Sequence, residues 1–434
     1  MIRAVTELPA RRPASATPSS PAAEGHEAPG AGAGAPSPLL LAGVLLVAAN
    51  MRPVATSLGP LLHQIRSSEH ISGAVAGLLT TIPVLCFGAI APLAGLLSRR
   101  IGIARTITLV LGAIIAGLLV RVTGGIALLF AGTVLAAAGS ACGNVLLPVV
   151  VRRSFSSRVG RTSALYTTAL VGVAALAAGV TVPLAHAIGH GWRGGLAIWA
   201  APALLATLVW LPQLRHEPPV ATSTPPATPV RVLTRDPLTW HLTVFFALQS
   251  FGFYALLAWM PSIFQSHGLS STHAGLLLGL SGIMAVPAAL LIPMVAARTR
   301  EQGPIALAMA AVTLFGYGGL LLAPAGAPEL WAILIGFGQG ASFPLALTMI
   351  VLRSGSAQLT SGLSTHVQGG GYLLAAAGPL LFGALHDATG SWTASILLLM
   401  VVLVPQAVTG VGAGRNRTIS TAPREAQAAG ASVM

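Results

Sequence analysis

The sequence predicts an all-α membrane protein with twelve transmembrane helices arranged as two pseudo-symmetric halves of six. Three observations predict this class: an apolar composition, a regular series of span-length segments and a weak internal repeat. Of the 434 residues, 54% are hydrophobic and only 8% are charged, so polar residues are too few to cover a soluble globule. The net charge of +13 does not indicate a nucleic-acid partner, because the arginines lie between apolar segments.

Each of twelve apolar segments has close to the ~20 residues that cross a hydrocarbon core of ~30 Å. The long polar stretch 215–237 divides them into six plus six and is predicted to be a flexible cytoplasmic linker. Residues 1–37 and 413–434 are predicted to be disordered cytoplasmic tails, which leaves helical halves over 38–214 and 238–412. The predicted spans are 39–65, 71–98, 104–121, 125–151, 162–188, 192–213, 238–265, 271–297, 303–323, 328–352, 360–386 and 390–411.

The arginines predict the orientation of the chain in the membrane. All 23 cationic residues are arginine, and nineteen of them lie in the tails and in the connections on one side. The opposite connections contain three, Arg66, Arg121 and Arg193. This bias predicts cytoplasmic termini and, with them, a multi-pass protein of the cytoplasmic (inner) membrane. Arg52 is the one arginine left inside a span.

A weak repeat relates the two halves. An offset of 198 residues aligns AGLL at 76–79 with AGLL at 274–277. Parallel six-helix repeats are the architecture of major facilitator transporters, whose substrate sites lie near the membrane midplane between the halves. The same offset aligns Arg52 with Ser250, next to Gln249. We therefore expect spans one and seven to place polar groups opposite each other across a central cavity.

Arg52 is the central candidate for a binding residue. A charge deep in a membrane span costs between about 2.5 and 17 kcal/mol, depending on the reference state. The ten acidic residues all fall in tails, connections or span ends, so Arg52 has no evident acidic partner in the sequence. Two interpretations stay open: a water-filled cavity that admits a small anion, or snorkelling and pairing with backbone carbonyls.

Other polar side chains in the spans extend the predicted site. An amide in an apolar helix can contact a substrate, although it can equally bond another helix. His366 can carry a proton near neutral pH, or it can be a packing residue. Trp259 approaches the predicted outer interface, where an aromatic-belt position is expected. The predicted substrate-binding residues are Arg52, Asn50, Asn144, Gln249, Tyr254, His366, Gln368 and Tyr372.

Several stretches resemble one transporter family. The sequence NMRPVATSLGPLL at 50–62 resembles the first-helix signature of the cyanate and 2-nitroimidazole transporter family within the major facilitator superfamily. The resemblance implies a secondary transporter that moves a small anion or a small polar heterocycle by alternating access. Supporting stretches are LLPVVVRRSF at 146–155, LQS at 248–250, WMP at 259–261, QGGGY at 368–372 and LHDATGSW at 385–392.

The connection after span two departs from the superfamily pattern. Arg99 stands where an aspartate is common, so gating and topology both stay open as roles for Arg99 and Arg100. Two other functions also stay open: efflux of a drug or nitro-heterocycle, and sensing by a transporter fold without transport.

An enzyme is not expected, because the spans contain no nucleophile–base pair, metal cluster or paired carboxylates. For the same reason we expect no cofactor and no metal. Cys86 and Cys142 are predicted to be packing residues. The expected partners are a small solute, the lipid bilayer and protons as a candidate coupling ion, and the protein is expected to be a monomer.

Overall fold

The computed structural model describes residues 38–155, 158–216 and 233–419, so the predicted N-terminal tail lies outside the described residues. Most of the linker and most of the C-terminal tail lie outside them as well. Each predicted span coincides with a helix or with consecutive helical segments. The helices are α1 (Pro38–Met51, Pro53–Thr56 and Leu58–Glu69), α2 (Gly73–Ala89 and Ala91–Ile101), α3 (Ile103–Val120), α4 (Ile126–Ser154), α5 (Val159–Ile188), α6 (Gly191–Ala197 and Ala200–Trp210), α7 (Pro237–Ser266), α8 (Ser271–Arg298), α9 (Gly303–Leu322), α10 (Pro328–Leu352), α11 (Ala357–Ala375 and Ala377–Thr389) and α12 (Trp392–Ala413).

Length and apolar composition qualify ten helices of the described chain as membrane spans, or eleven if the bent pair in α2 is one span. The α2 segments Gly73–Ala89 and Leu93–Ile101 meet at 60°. The α11 pair does not qualify, because its segments are separated at Ala376 and the first of them carries several Ser, Thr, His and Gln side chains. The spans thus occupy the predicted positions, while α11 is less apolar than a simple span.

Two hydrophobic clusters form the core of the described chain. One consists of residues from α1 to α6, and the other is built mainly from α7 to α12. Leu62, Ala76 and Ala178 from the first six helices join the second cluster, so the two sets of helices pack against each other. We call α1–α6 the N-terminal half and α7–α12 the C-terminal half.

Small residues bring the backbones of the two halves together. The halves meet where α5 packs on α8, α2 on α11 and the last segment of α1 on α7. A Cβ atom at Gly77 would lie 2.6 Å from the carbonyl oxygen of Pro379, and one at Gly279 would lie 3.0 Å from that of Ala175. Helices approach this closely only where side chains are small.

The opposite ends of the bundle are named here after the predicted orientation. The outer end carries the connections after α1, α3, α5, α7, α9 and α11, and the cytoplasmic end carries the others. At the cytoplasmic end, buried Arg353 donates to the carbonyls of Ala413 at 3.1 Å and Gly414 at 3.0 Å, and to the Gln302 side chain. Burial lowers the pKa of the Arg353 guanidinium, and the Glu301 carboxylate opposes this effect.

Part of the stretch predicted as a C-terminal tail contacts the bundle. The backbone N–H of Ile419 donates to the carbonyl of Arg353 at 2.9 Å. The guanidinium of Arg417 lies 3.4 Å from the carboxylate of Asp236, which precedes α7. Residues 415–419 therefore lie against the ends of α7 and α10.

Candidate solute-binding cavity

Arg52 lies at a break in α1. The helix ends at Met51, resumes at Pro53 and breaks again at Ser57. Pro53 has no backbone N–H, so the hydrogen-bond ladder of a continuous helix cannot pass through it. The ladder begins again at the Arg52 carbonyl, which accepts from the N–H groups of Ala55 at 3.0 Å and Thr56 at 3.1 Å. The sequence thus interrupts the helix at the residue that carries the charge.

The Arg52 side chain lines a central cavity of about 280 Å³ between the two halves. Residues of α1 and α5 line it from the N-terminal half, and residues of α7, α8, α10 and α11 line it from the C-terminal half. Apart from Arg52, its polar lining consists of neutral side chains, namely Thr56, Thr167, Gln249, Ser250, Tyr254, Ser281, Gln339 and Tyr372.

No acid neutralises Arg52 within the described chain. The ion pairs formed by described residues do not include it. Its Nε atom is buried and has no hydrogen-bond partner in this part of the chain. The guanidinium carbon lies 6.0 Å from the ring centroid of Phe87, and the group interacts electrostatically with the hydroxyls of Tyr254 and Tyr372. Arg52 therefore presents a positive charge and a free donor to its surroundings.

Aromatic rings from both halves lie near the charge, Phe87 from the N-terminal half and the others from the C-terminal half. The Tyr372 ring centroid lies 5.0 Å from that of Phe246, 5.6 Å from that of Phe87 and 6.3 Å from that of Tyr254. Phe253 and Phe343 also line the cavity. A planar solute can pack against such rings, because aromatic pairs are favourable at centroid separations of about 4.5–7 Å.

Two glutamine side chains add amide groups. Gln249 donates to the Ser250 hydroxyl at 2.5 Å, and both residues are buried in the cavity wall. Gln339 of α10 donates to the Tyr317 hydroxyl at 2.5 Å, while its Oε1 has no partner among the described residues. Gln339 was not predicted, since the glycines around it indicated helix packing. A lone amide in an apolar helix was the signal available in the sequence.

The predicted residues divide into two groups. Arg52, Gln249, Tyr254 and Tyr372 come together in the cavity wall. The amides of Asn50, Asn144 and Gln368 lie outside this wall and form hydrogen bonds with nearby groups. Asn50 donates to the carbonyls of Leu46 at 2.8 Å and Pro202 at 3.1 Å, Asn144 to that of Ser140 at 3.1 Å, and Gln368 to the Ser364 hydroxyl at 2.6 Å.

His366 also lies outside the cavity wall. Its ring packs edge-on against Trp240 with centroids 6.0 Å apart, and its buried Nε2 has no partner in the described chain. The aromatic-belt position expected for Trp259 is wrong, because that side chain is fully buried and donates to the Pro379 carbonyl at 2.8 Å. Arg99 and Arg100 are exposed at the end of α2, where their predicted roles in gating or topology stay predictions.

Span-length helices packed in two clusters around a largely apolar cavity that contains one arginine define an all-helical, multi-pass membrane protein of the transporter class. A bacterial homologue of the human lysosomal transporter Spinster, crystallised in an inward-facing, unoccupied conformation, has the same fold. It superposes with a TM-score of 0.73 at 16% identity and covers 88% of this chain and 98% of its own.

The chain belongs to the Major Facilitator Superfamily, which it matches over residues 40–365, and to the family of its 2-nitroimidazole and cyanate transporter relatives. The 2-nitroimidazole transporter of Escherichia coli is 39% identical over 88% of this chain and 96% of its own length. The cyanate transport protein CynX of the same organism is 32% identical over 80% and 90%. The uncharacterized transporter YycB of Bacillus subtilis is 42% identical over 90% and 97%.

These matches confirm the predicted fold class and the predicted family. They also confirm that the chain is a transporter rather than an enzyme.

Proposed function

We propose that this protein is a secondary transporter that carries a small, electron-rich solute across the membrane by alternating access. The solute is either an anion such as cyanate or a small polar heterocycle such as a nitroimidazole. One observation carries the proposal: Arg52 lines a cavity between the halves and forms no ion pair with any described residue. A membrane-buried charge with no acidic partner among the described residues is a functional-site candidate, and the cargo is the counter-charge that we propose.

The cavity wall favours a planar heterocycle over a linear inorganic anion. Its volume of about 280 Å³ lies near the lower end of the ~300–1,000 Å³ that is typical of small-molecule pockets. Four aromatic side chains line it, Phe253, Tyr254, Phe343 and Tyr372. A three-atom anion would fill little of this space and would gain little from the rings. In our proposal Arg52 binds the electron-rich group, Gln249 and Gln339 orient the solute, and the tyrosines bound the site.

Transport follows from movement of one half against the other about this cavity. Arg52 belongs to the N-terminal half, whereas Gln249, Tyr254 and Tyr372 belong to the C-terminal half. A solute held by both sets of groups favours closure around itself, since ligands shift conformational equilibria through differential contacts. We propose that the two halves rock as bodies, that both termini face the cytoplasm of a cell whose inner membrane holds the protein, and that a monomer is sufficient.

Efflux of a drug or nitro-heterocycle is the second candidate. The largely apolar lining, with its aromatic rings, favours it. In that case Arg52 contributes mainly to gating, and the solute is held by ring packing. Deletion of the gene would then increase the sensitivity of cells to lipophilic compounds, whereas an importer of small anions would show no such change.

Counterflow in proteoliposomes tests the proposal directly. Purified protein is reconstituted with unlabelled cyanate or 2-nitroimidazole inside, and uptake of the labelled compound is followed with and without a pH gradient. We expect counterflow of 2-nitroimidazole to exceed that of cyanate. A gradient effect would identify protons as the coupling ion. Binding without counterflow of either compound would instead favour a sensor.

Arg52→Gln supplies the decisive variant. Loss of a charged hydrogen-bond donor is expected to reduce counterflow by about 10- to 100-fold, because such bonds contribute about 1.5–3 kcal/mol. Arg415→Gln is a matched control at an exposed residue of the cytoplasmic end and should transport normally. Equal membrane insertion of both variants establishes that folding is intact. Near-normal counterflow by Arg52→Gln would refute a cargo-binding role for Arg52.

A further inference from the structure

A second buried arginine lies against the break in α1. Arg121 directly follows α3, and its side chain is completely buried although the sequence assigns it to an outer connection. Its guanidinium donates to the Val54 carbonyl at 3.1 Å, to the Ser57 hydroxyl at 3.4 Å and to the Leu196 carbonyl at 3.3 Å. Two of these three acceptors belong to the broken stretch of α1.

Helix ends take the place of an acid around Arg121. Val54 is in the last turn of the short segment Pro53–Thr56, and Leu196 is in the last turn of Gly191–Ala197. The last carbonyls of a helix lack intrahelical partners and carry partial negative charge. The planar guanidinium reaches both helix ends at once, which a lysine ammonium cannot do. None of the ion pairs of the described chain includes Arg121.

The hydrogen bonds at the α1 break also hold the backbone next to Arg52, the residue whose charge faces the cavity. Ser57 donates to the Pro53 carbonyl at 2.6 Å, and Ser140 of α4 donates to the Met51 carbonyl. Arg121 holds the carbonyl of Val54, two residues after Arg52. The backbone on both sides of Arg52 is therefore tied to neighbouring helices of the N-terminal half. Removal of Arg121 leaves the Val54 carbonyl without this donor and loosens the attachment of the interrupted stretch of α1 to α3.

We propose that Arg121 is a positioning residue for Arg52: by binding the Val54 carbonyl and the Ser57 hydroxyl at the α1 break, it keeps this stretch of backbone in place and Arg52 directed into the cavity. This inference rests on the proposed function only where it concerns cargo. The direction of the Arg52 side chain is independent of what the protein transports. The positioning role of Arg121 and the cargo-binding role of Arg52 can therefore be tested separately.

Cysteine accessibility at position 52 measures the positioning without any assumption about cargo. The parent variant carries Arg52→Cys with Cys86→Ala and Cys142→Ala, which removes the two native thiols. Its reaction rate with a water-soluble methanethiosulfonate is compared with and without Arg121→Gln. We expect Arg121→Gln to slow labelling about tenfold, by analogy with the effect on metal sites of losing a group that orients a ligand side chain. An unchanged labelling rate would overturn the proposal.

Arg353→Gln is the matched control for loss of a buried arginine. Arg353 also donates to helix-end carbonyls, but those belong to α12 and its C-terminal extension at the cytoplasmic end. It should leave labelling at position 52 unchanged. An equal decrease in both variants would mean that Arg121 is only structural. If Arg121→Gln does not insert, Arg121→Lys and Arg353→Lys provide the same comparison, with partial loss expected for Arg121→Lys.

Counterflow of 2-nitroimidazole in the native-cysteine protein links positioning to transport. We expect Arg121→Gln to raise KM about tenfold with a smaller effect on the maximal rate, as for a misplaced binding group. Slower labelling at position 52 together with normal counterflow in Arg52→Gln would retain the positioning role and reject the cargo role of Arg52. Normal labelling at position 52 in Arg121→Gln, together with loss of counterflow in Arg52→Gln, would reject the positioning role of Arg121 and retain the cargo role of Arg52.

Discussion

The Arg66 guanidinium lies 3.1 Å from the Asp387 carboxylate, so an ion pair joins the end of α1 to the end of α11. The same carboxylate accepts from the backbone N–H of Ala74 at 3.0 Å, in the first turn of α2. Arg66 also lies over the Trp259 ring, with 5.6 Å between the guanidinium carbon and the ring centroid. One carboxylate of the C-terminal half thus binds two helices of the N-terminal half at the outer end.

Asp387→Asn should favour opening of the outer end. The pair is partly exposed, so we expect its loss to shift the equilibrium by about 1 kcal/mol, or roughly fivefold. The measurement is labelling of Arg52→Cys from outside in right-side-out vesicles. Glu69→Gln is the control, because it breaks a 2.7 Å pair with Arg193 inside the N-terminal half. A similar rise in both variants would argue against an outer latch.

Gly77→Val should prevent full closure of the outer end. Its Cβ would approach the Pro379 carbonyl to 2.6 Å, and backbone cannot rotate away as a side chain can. Overpacking costs about 1–3 kcal/mol, and we expect this cost to disfavour the arrangement in which α2 and α11 are packed together at the outer end. Counterflow should therefore decrease about fivefold or more. Gly112→Val is the control, since nothing lies within 4 Å of its Cβ position, and equal activity of the two variants would contradict the predicted block.

Gln339→Leu combined with Tyr317→Phe should separate binding from stability. The Gln339 amide donates a hydrogen bond to the Tyr317 hydroxyl, and the Gln339 Oε1 has no hydrogen-bond partner among the described residues. Replacement of both polar partners by apolar groups of similar shape is close to neutral for folding. The thermal midpoint in detergent should therefore stay near that of the native protein, while KM for 2-nitroimidazole rises. A large fall in the midpoint would show that the pair is chiefly structural.

Arg353→Gln should have the opposite effect, lower stability with unchanged KM. The substitution removes charged donors from Ala413, Gly414 and Gln302, with an expected loss of about 1.5–3 kcal/mol. The thermal midpoint of the purified protein measures the loss, and 2-nitroimidazole counterflow measures KM. An altered KM would mean that the contacts of Arg353 at the cytoplasmic end also affect solute binding in the cavity.

Hydropathy and length predicted the helix positions well, since a span must satisfy both. They do not show where a helix breaks. Pro53 indicated the interruption of α1, and Pro379, which cannot donate to the Ala375 carbonyl, lies three residues after the separation within α11 at Ala376. The repeat placed Arg52 opposite Gln249, because helices at equivalent positions of the two halves face the same cavity.

The remaining site residues could not be assigned from sequence, because a polar side chain in a span can form its hydrogen bonds with a solute, with its own helix or with a neighbouring helix. Asn144 and Gln368 engage groups on their own helices, and Asn50 reaches α6, which spacing alone does not reveal. Arg121 was counted with the outer connections. Its burial depends on carbonyls that are free only because α1 and α6 are interrupted, and that information is three-dimensional.

The charge that faces the cavity belongs to one half alone, while the groups opposite it are neutral. With an anionic cargo, the loaded site approaches electroneutrality and the empty site keeps its positive charge. Membrane voltage contributes about 2.3 kcal/mol per elementary charge per 100 mV moved across the full field. For an anionic cargo, we therefore expect the electric field to act mainly on the return of the empty carrier, and the resting potential to affect turnover through the charge at the α1 break.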